Sequence, residues 1–334
     1  MSWDDLFREI VAGVLDAGDE VRAGAGLSVG AGQVTRERLN CSFELAEPRD
    51  RLLFNPRCRF NLCAAVGRFA WMMSGSDRLA DIEYYDLRGR DFSDDGLVVP
   101  GSCDGARLLS PRRGLDQLAR VVDLLRHDPG TRRAVAVIYH PEDAGRVSRD
   151  IPCHIAVGYN LRDGALHCTT LMRSSNAARV LPYDLFLFTL LAEVVACMVG
   201  ASSFTYHQFA ISMHVYAKDL PAARAIVTEP PPARRRPMPP MPSASVAGDV
   251  RTFLEIEREF RASHLLADSV WLADQQLRIQ ASLPGFWQDF AQVLLVQAVR
   301  RCRLEPSRRT ALEAEAVAPI SDPFKALVAR REVG

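Results

Sequence analysis

A cysteine between proline and histidine, in Ile151-Pro152-Cys153-His154, is the first candidate for chemistry. The thiolate rather than the thiol is the nucleophile, and it forms where cationic side chains stand close. His154, Arg173 and the run Thr131-Arg132-Arg133 are the cations this sequence offers. The motif alone leaves open a structural cysteine, buried as a small hydrophobe. Arg132 and Arg133 follow a helix stop at Asp128-Pro129-Gly130, and Arg173-Ser174 follows a strand. Guanidinium groups and a hydroxyl at such places suit a phosphate. His214 and Tyr216 lie two apart in a strand and therefore share a face, as ligand-binding groups or as a satisfied core pair.

These residues need elements to position them. Trp3, Leu6, Ile10, Val14 and Leu15 recur near the helical period, predicting a helix over 3–17. A glycine-rich turn and a strand through Cys41–Leu45 follow, then helices over 61–74 and 115–127. Ala134–Tyr139, Ile155–Leu161, Ala165–Met172 and Phe204–Tyr216 read as strands, with Arg162-Asp163-Gly164 a hairpin turn. Residues 183–199 are apolar almost throughout, so they make a helix central to the core. Residues 229–242 are too rich in proline for helix or central strand, whereas 250–272 and 284–303 look helical. The expected division is a catalytic core over 1–228, a proline-rich loop or linker over 229–249, and a helical region of the same domain over 250–334.

Composition excludes several classes. Of 41 basic side chains only Lys218 and Lys325 are lysines, and 41 acidic side chains balance them. Zero net charge gives no general attraction to nucleic acid or an anionic membrane. Hydrophobic residues at 48% and charged residues at 25% are ordinary for a globular protein. No apolar stretch approaches the roughly 20 residues of a membrane helix. The start, MSWDDLFREI, is acidic and does not read as a secretory signal, so the expected location is the cytoplasm. Eight cysteines lie scattered with no CxxC pair, so neither a metal site nor a disulfide framework is expected.

Taken together and in order, the motifs resemble the thymidylate synthase family. Its pattern runs Arg-Thr-Gly-Thr-Gly, Asp-Gln, Ser-Arg-Arg, Pro-Cys-His, Gln-Arg-Ser-x-Asp, Leu-Gly-x-Pro-Phe-Asn and Asp-x-His-x-Tyr. This sequence has Arg22-Ala-Gly-Ala-Gly26, Asp116-Gln117, Thr131-Arg132-Arg133, Pro152-Cys153-His154, Met172-Arg173-Ser174-Ser175-Asn176, Val180-Leu181-Pro182-Tyr183-Asp184 and Ser212-Met213-His214-Val215-Tyr216. The resemblance covers roughly residues 20–220. It implies an α/β fold with a large mixed sheet, a homodimer, and Cys153 adding to C6 of a pyrimidine nucleotide. It further implies that Arg22, Arg173 and Ser174 hold the phosphate, with Arg132 and Arg133 donated across the dimer. His214 and Tyr216 would hold the sugar, Trp71 and Asn176 would stand on the folate side, and 5,10-methylenetetrahydrofolate would be the co-substrate, with no metal.

Departures from the pattern point to the substrate. The family's base-reading Asn is Asp184 here. An amide serves uracil, donating to O4 and accepting from N3–H; a carboxyl group serves cytosine, which donates from N4. The same exchange marks the cytidylate hydroxymethylases of the family, so the expected product is 5-hydroxymethyl-CMP or its deoxy form. The arginine-rich composition suits the GC-rich setting of nucleoside-antibiotic biosynthesis. Arg68 replaces a Glu that organises proton transfer, with Glu83 and Asp104 as substitutes, and Asn176 replaces the pterin-binding Asp. A C5-methyltransferase and a nucleotide-binding paralogue without catalysis are the alternatives.

Overall fold

The computed structural model describes residues 1–24, 32–110, 115–232 and 234–330; Gly26 of the glycine-rich motif lies outside them. The chain opens with α1 (Trp3–Ala17), where Ser2 and Asp5 form a capping box. Next come β1 (Asp19–Arg22), β2 (Val34–Leu45), α2 (Leu62–Ser74), α3 (Leu79–Glu83) and α4 (Asp104–Leu108). Two short strands, β3 (Leu109–Ser110) and β4 (Leu115–Asp116), lead into α5 (Gln117–His127). Helix α5 starts at Gln117, later than expected, because the Asp116 side chain caps the Ala119 N–H and leaves Leu115 in β4.

The central sheet adds β5 (Val135–Val137), β6 (His154–Arg162), β7 (Ala165–Asn176) and β8 (Ser203–Tyr216), in the order β1-β2-β8-β7-β6-β5. Only β7 and β8 pair in parallel. The turn between β6 and β7 places Asp163 at φ 49° and Gly164 at φ 77°. Two successive left-handed residues match the right-handed twist of the flanking strands, which is why Asp-Gly sits there.

Parallel strands need a crossover, and α6 (Leu181–Val199) supplies it, with Pro182 in its first turn and Gly200 closing it at φ 71°. Helix α6 is apolar on every side because every side is covered: Leu185, Phe186, Phe188, Leu190 and Leu191 have no exposed surface. Each such side chain stabilises the fold by about 1.5–3 kcal/mol relative to exposure. The expectation that no stretch approaches membrane length is corrected here. Over 19 residues α6 is long and apolar enough to cross a membrane, and 78% of its apolar window is buried inside the protein.

In β8 the buried residues are Tyr206, Gln208 and Ala210, then Met213 and Val215. Neighbouring β7 changes from Cys168, Thr170 and Met172 to Ser175, and the β6–β7 register shifts between His154 and Ala156. This common irregularity re-aims the side chains beyond it. On the face opposite the buried one, Leu39, Leu171 and Ile211 are exposed.

After β8 come α7 (Leu220–Thr228), α8 (Val246–Ser263), α9 (Ser269–Ser282), α10 (Gly285–Arg301), α11 (Pro306–Val317) and α12 (Phe324–Val328). The helix expected over 250–272 is two helices, broken at His264–Leu266, with Asp268 capping α9 through the Trp271 N–H. Phe290 of α10 lies 6.0 Å from Phe69 of α2 and 6.3 Å from Phe186 of α6, so the late helices share the core of the early ones. The proline-rich segment is strapped down: Met238 N–H donates to Arg49 O, and Met241 N–H donates to Glu193 of α6, itself paired with the buried Arg51.

Candidate active site

Of the eight cysteines, Cys153 alone is exposed. Its loop is clamped from β7. Arg173 donates through Nε to Pro152 O at 2.7 Å and through its guanidinium to Ile151 O at 2.8 Å, and the Arg173 N–H donates to Cys153 O at 2.8 Å. The thiol is open to solvent yet ringed by protein, and that surrounding mass pushes it up to about 11. Arg173 pulls it down, whereas Asp184, Asp150 and Asp104 push it further up. Alone, the chain therefore holds a resting thiol.

His154 is buried and its Nδ1 lies 3.0 Å from the Asp104 carboxylate. Its ring packs on Phe188 of α6 at 4.2 Å. Burial works against a charged imidazole, but Asp104 outweighs it and raises the His154 pKa. The His154 Nε2 and one Asp104 oxygen are buried without a hydrogen-bond partner. Asp184, in the first turn of α6, is the third buried ionisable group. Burial pushes it up to about 6, with His154 and Arg68 pulling it back and Asp104 adding to the rise.

Arg68, the side chain least expected at its position, donates to Asp86 at 2.6 Å and lies over the Tyr183 ring at 5.7 Å. It thus presents positive charge toward the Asp184 carboxyl group. Of the two substitutes proposed for the missing Glu, Asp104 is in the cluster, whereas Glu83 pairs with Arg90. Asp150 was not anticipated. It accepts from the Gly101 and Ser102 N–H groups and the Ser102 hydroxyl at 2.6–2.7 Å, binding the loop before α4 to the loop bearing Cys153. Its place two residues before Pro152 was the only signal.

The Ser174 hydroxyl is 3.4 Å from His214 Nδ1, and the His214 and Tyr216 rings are 5.0 Å apart. Burial, reinforced by Arg173, lowers the His214 pKa despite Glu37, so its ring is a neutral hydrogen-bonding group. Burial also raises Tyr216, with Cys153 contributing, which keeps its hydroxyl protonated. Asn176 is buried and accepts from the Arg179 N–H at 3.0 Å. Trp71 is buried beside Leu79, Ile82, Val99 and Cys103, with its indole N–H unpaired.

The other phosphate candidates stand apart. Arg22 is exposed and donates to Gly32 O at 3.0 Å. Arg132 and Arg133, between α5 and the edge strand β5, are exposed, and their side chains make no hydrogen bond or ion pair among the described residues.

A cleft of about 1270 Å³ opens on the Tyr183 side of Asp184. Arg57, Arg59, Arg88, Arg179, Arg300, Arg301, Arg309 and Arg330 line it, against two acidic residues, Asp86 and Glu313. That excess of guanidinium groups suits a ligand carrying carboxylates. Among the described residues no group of three or more His, Cys, Asp or Glu is arranged to hold a metal ion.

Three relatives place this geometry in context. Deoxyuridylate hydroxymethyltransferase of Bacillus phage SP01 is 28% identical over 226 residues, 64% of this chain and 57% of that protein. A putative thymidylate synthase of Methanosarcina barkeri is 34% identical over 123 residues, 37% of this chain and 56% of that protein. Thymidylate synthase 1/2 of Encephalitozoon cuniculi is 30% identical over 119 residues, 36% of this chain and 40% of that protein. The chain thus spans about half the length of the curated relatives it matches. Residues 58–251, more than half of the chain, match the family described as thymidylate synthase, and the chain belongs to that family.

Proposed function

We propose that this chain transfers a one-carbon unit from 5,10-methylenetetrahydrofolate to C5 of a cytidine monophosphate, with water capture giving the 5-hydroxymethyl nucleotide. The observation that carries the reading is Asp184, a buried carboxyl group raised to about 6 at the base-reading position. A protonated carboxyl donates one hydrogen bond and accepts another, matching the N3 acceptor and N4 donor of cytosine. Uracil presents N3–H and O4, so its O4 meets a second acceptor once Asp184 is ionised, whereas cytosine can take the proton on N3 and donate from both positions, a difference of several kcal/mol.

The Cys153 thiolate adds to C6. As the Sγ–C6 bond forms, the ring electron pair moves toward N3, which takes the Asp184 proton, and C5 becomes enamine-like and nucleophilic. Methylenetetrahydrofolate, when bound, supplies the one-carbon unit at that carbon. C5 then loses its proton as tetrahydrofolate departs with it, leaving an exocyclic methylene; water adds there and gives up a proton, Sγ leaves C6 as thiolate, and N3 returns its proton to Asp184. Ser174 and Arg173 hold the phosphate with Arg22, and His214 and Tyr216 hold the sugar hydroxyl. The arginine-lined cleft suits the carboxylates of the folate's glutamyl end, and Tyr183, the neighbour of Asp184 in sequence, lines it. Trp71 and Asn176 are outside the lining of that cleft and are assigned to the folate by resemblance alone.

The dimer is part of the proposal. Cys153 in one chain faces three carboxylates and one arginine, so the thiolate needs positive charge from outside. Arg132 and Arg133 of the partner subunit would supply it, and the exposed Leu39, Leu171 and Ile211 offer an apolar face for pairing. The phage relative's name supports the hydroxymethyl outcome. The arginine-rich composition supports a place in nucleoside-antibiotic biosynthesis, acting on CMP.

The test is incubation with CMP, dCMP, UMP or dUMP plus methylenetetrahydrofolate, with the nucleotide product weighed by mass spectrometry. A hydroxymethyl increment on a cytidine nucleotide is expected. A methyl increment would make the protein a C5-methyltransferase. Nucleotide binding without product would make it a binding paralogue, the reading that Arg68 and the raised Cys153 thiol favour.

A further inference from the structure

We infer that Asp104 is a positioning residue: it keeps His154 cationic, so that the imidazolium stabilises the Asp184 carboxylate left when Asp184 gives its proton to the base. The inference rests on the cytidylate reading and adds to it the group that drives N3 protonation.

The placement of Asp104 is over-determined. Helix α4 begins at Asp104 and packs through Gly105, and the loop before it packs through Gly101. A Cβ on Gly105 would lie 1.9 Å from Met72 O of α2, and one on Gly101 would lie 2.5 Å from Asp150 O. No side chain fits at either point, so α4 is pressed between α2 and the segment leading to Cys153. Asp150 fastens the near side with three hydrogen bonds. Arg107 fastens the far side, donating to Asp143 at 2.6 Å, Pro100 O at 2.8 Å and Ile138 O at 2.9 Å. A carboxylate held this firmly 3.0 Å from a buried imidazole sets both its tautomer and its charge.

The groups around His154 come from every side. Asp104 approaches from α4, Asp184 and the Phe188 ring from α6, and Cys153 and Asp150 from its own segment. Arg68 acts on Asp184 from α2, and Arg173 acts on Cys153 from β7. Two carboxyl groups thus share one imidazole. While Asp184 is protonated, Asp104 alone balances the imidazolium. Once its proton passes to N3, the imidazolium stands between two carboxylates, and its unpaired Nε2–H is free to bond the second. No proton needs to leave His154, so the step balances with one proton moving from Asp184 to N3.

The experiment is Asp104→Asn, which keeps the shape and removes the charge, read in two ways. Imidazole nitrogen shifts of His154, assigned with His154→Gln, should show a cation at neutral pH in the unaltered protein. In Asp104→Asn they should show loss of that proton at a pH at least about one unit lower. In turnover of CMP, kcat should fall roughly 10²-fold with KM within about threefold, and Asp104→Glu should restore part of it. A neutral His154 at pH 7 in the unaltered protein overturns the inference, as does an unchanged kcat in a folded Asp104→Asn. If Asp104→Asn does not fold, the shifts of the unaltered protein still decide. If no cytidine nucleotide turns over at all, the cytidylate reading fails, while the charge state of His154 is read independently of it.

Discussion

The inner wall of the site and its arginine rim are built in opposite ways. Asp104, His154 and Asp184 are buried, and the loop bearing Cys153 is clamped by Arg173 and Asp150. Arg22, Arg132 and Arg133 are exposed, on β1 and beside β5, at opposite edges of the sheet. On the proposed reading, one chain completes the half that would read the base and leaves the phosphate half open. Changes in the wall should therefore alter chemistry and base preference, whereas changes in the rim should alter binding of every nucleotide alike.

The largest effect belongs to the wall. Cys153→Ser should lower turnover by about 10³-fold or more while CMP affinity, measured by calorimetry, stays within about threefold. Undiminished turnover would sink the nucleophile assignment. Asp184→Asn comes next, since it exchanges a carboxyl donor–acceptor pair for an amide one. The ratio of CMP to UMP affinity should move toward UMP by about 10²-fold or more. An unchanged ratio in competition binding removes Asp184 from base recognition.

The rim answers differently. Arg132→Ala with Arg133→Ala should raise KM about 10²-fold, because two charge-assisted phosphate contacts are lost. Mixed with Cys153→Ser and assayed at CMP well below the KM of the double variant, this weakened pair should regain roughly a quarter of full activity. Half of the dimers are then mixed, and each mixed dimer holds one intact site. No recovery on mixing argues that each site is built from a single chain.

A pH series sharpens the contrast without any substitution. In the proposed complex with cytosine one proton lies between Asp184 and N3, and burial pushes the carboxyl of free Asp184 up to about 6. Above that pH the complex must draw the proton from solvent, so CMP affinity relative to UMP should fall up to about tenfold per pH unit. Taking the ratio cancels the phosphate's own titration near 6. A flat ratio in the unaltered protein, matching that of Asp184→Asn, denies the shared proton.

The fold was legible where a rule is local. Helix α6 announced itself by a nearly continuous apolar run, and the β6–β7 turn by Asp163-Gly164, which both take positive φ. The break at His264–Leu266 was not legible, because no proline or glycine marks it and the helical pattern runs through. At the site, Cys153, Arg173 and Asp184 were expected together from motif order, and the structure brings them together. The Asp104–His154 contact was not legible, because the two positions are joined only when α4 is pressed against the Asp150 segment. Contacts made by topology leave no periodicity to read. Arg68 was legible as an oddity, and its sense emerges from its neighbours Asp86, Tyr183 and Asp184.

The smallest effect tests the rim at its weakest member. Arg22 is exposed and already donates to Gly32 O, so a phosphate contact there competes with an existing bond and with water. An exposed charge contact of this kind contributes at most about 1 kcal/mol, or roughly fivefold in affinity. Arg22→Ala should therefore weaken CMP and UMP binding by that same modest factor, and the loss should shrink further at high salt. The base preference should not move, because Asp184 and His154 lie in a wall that Arg22 does not touch. A change in the CMP-to-UMP ratio from Arg22→Ala would show that rim and wall are coupled, and the division between a binding rim and a reading wall would have to be abandoned.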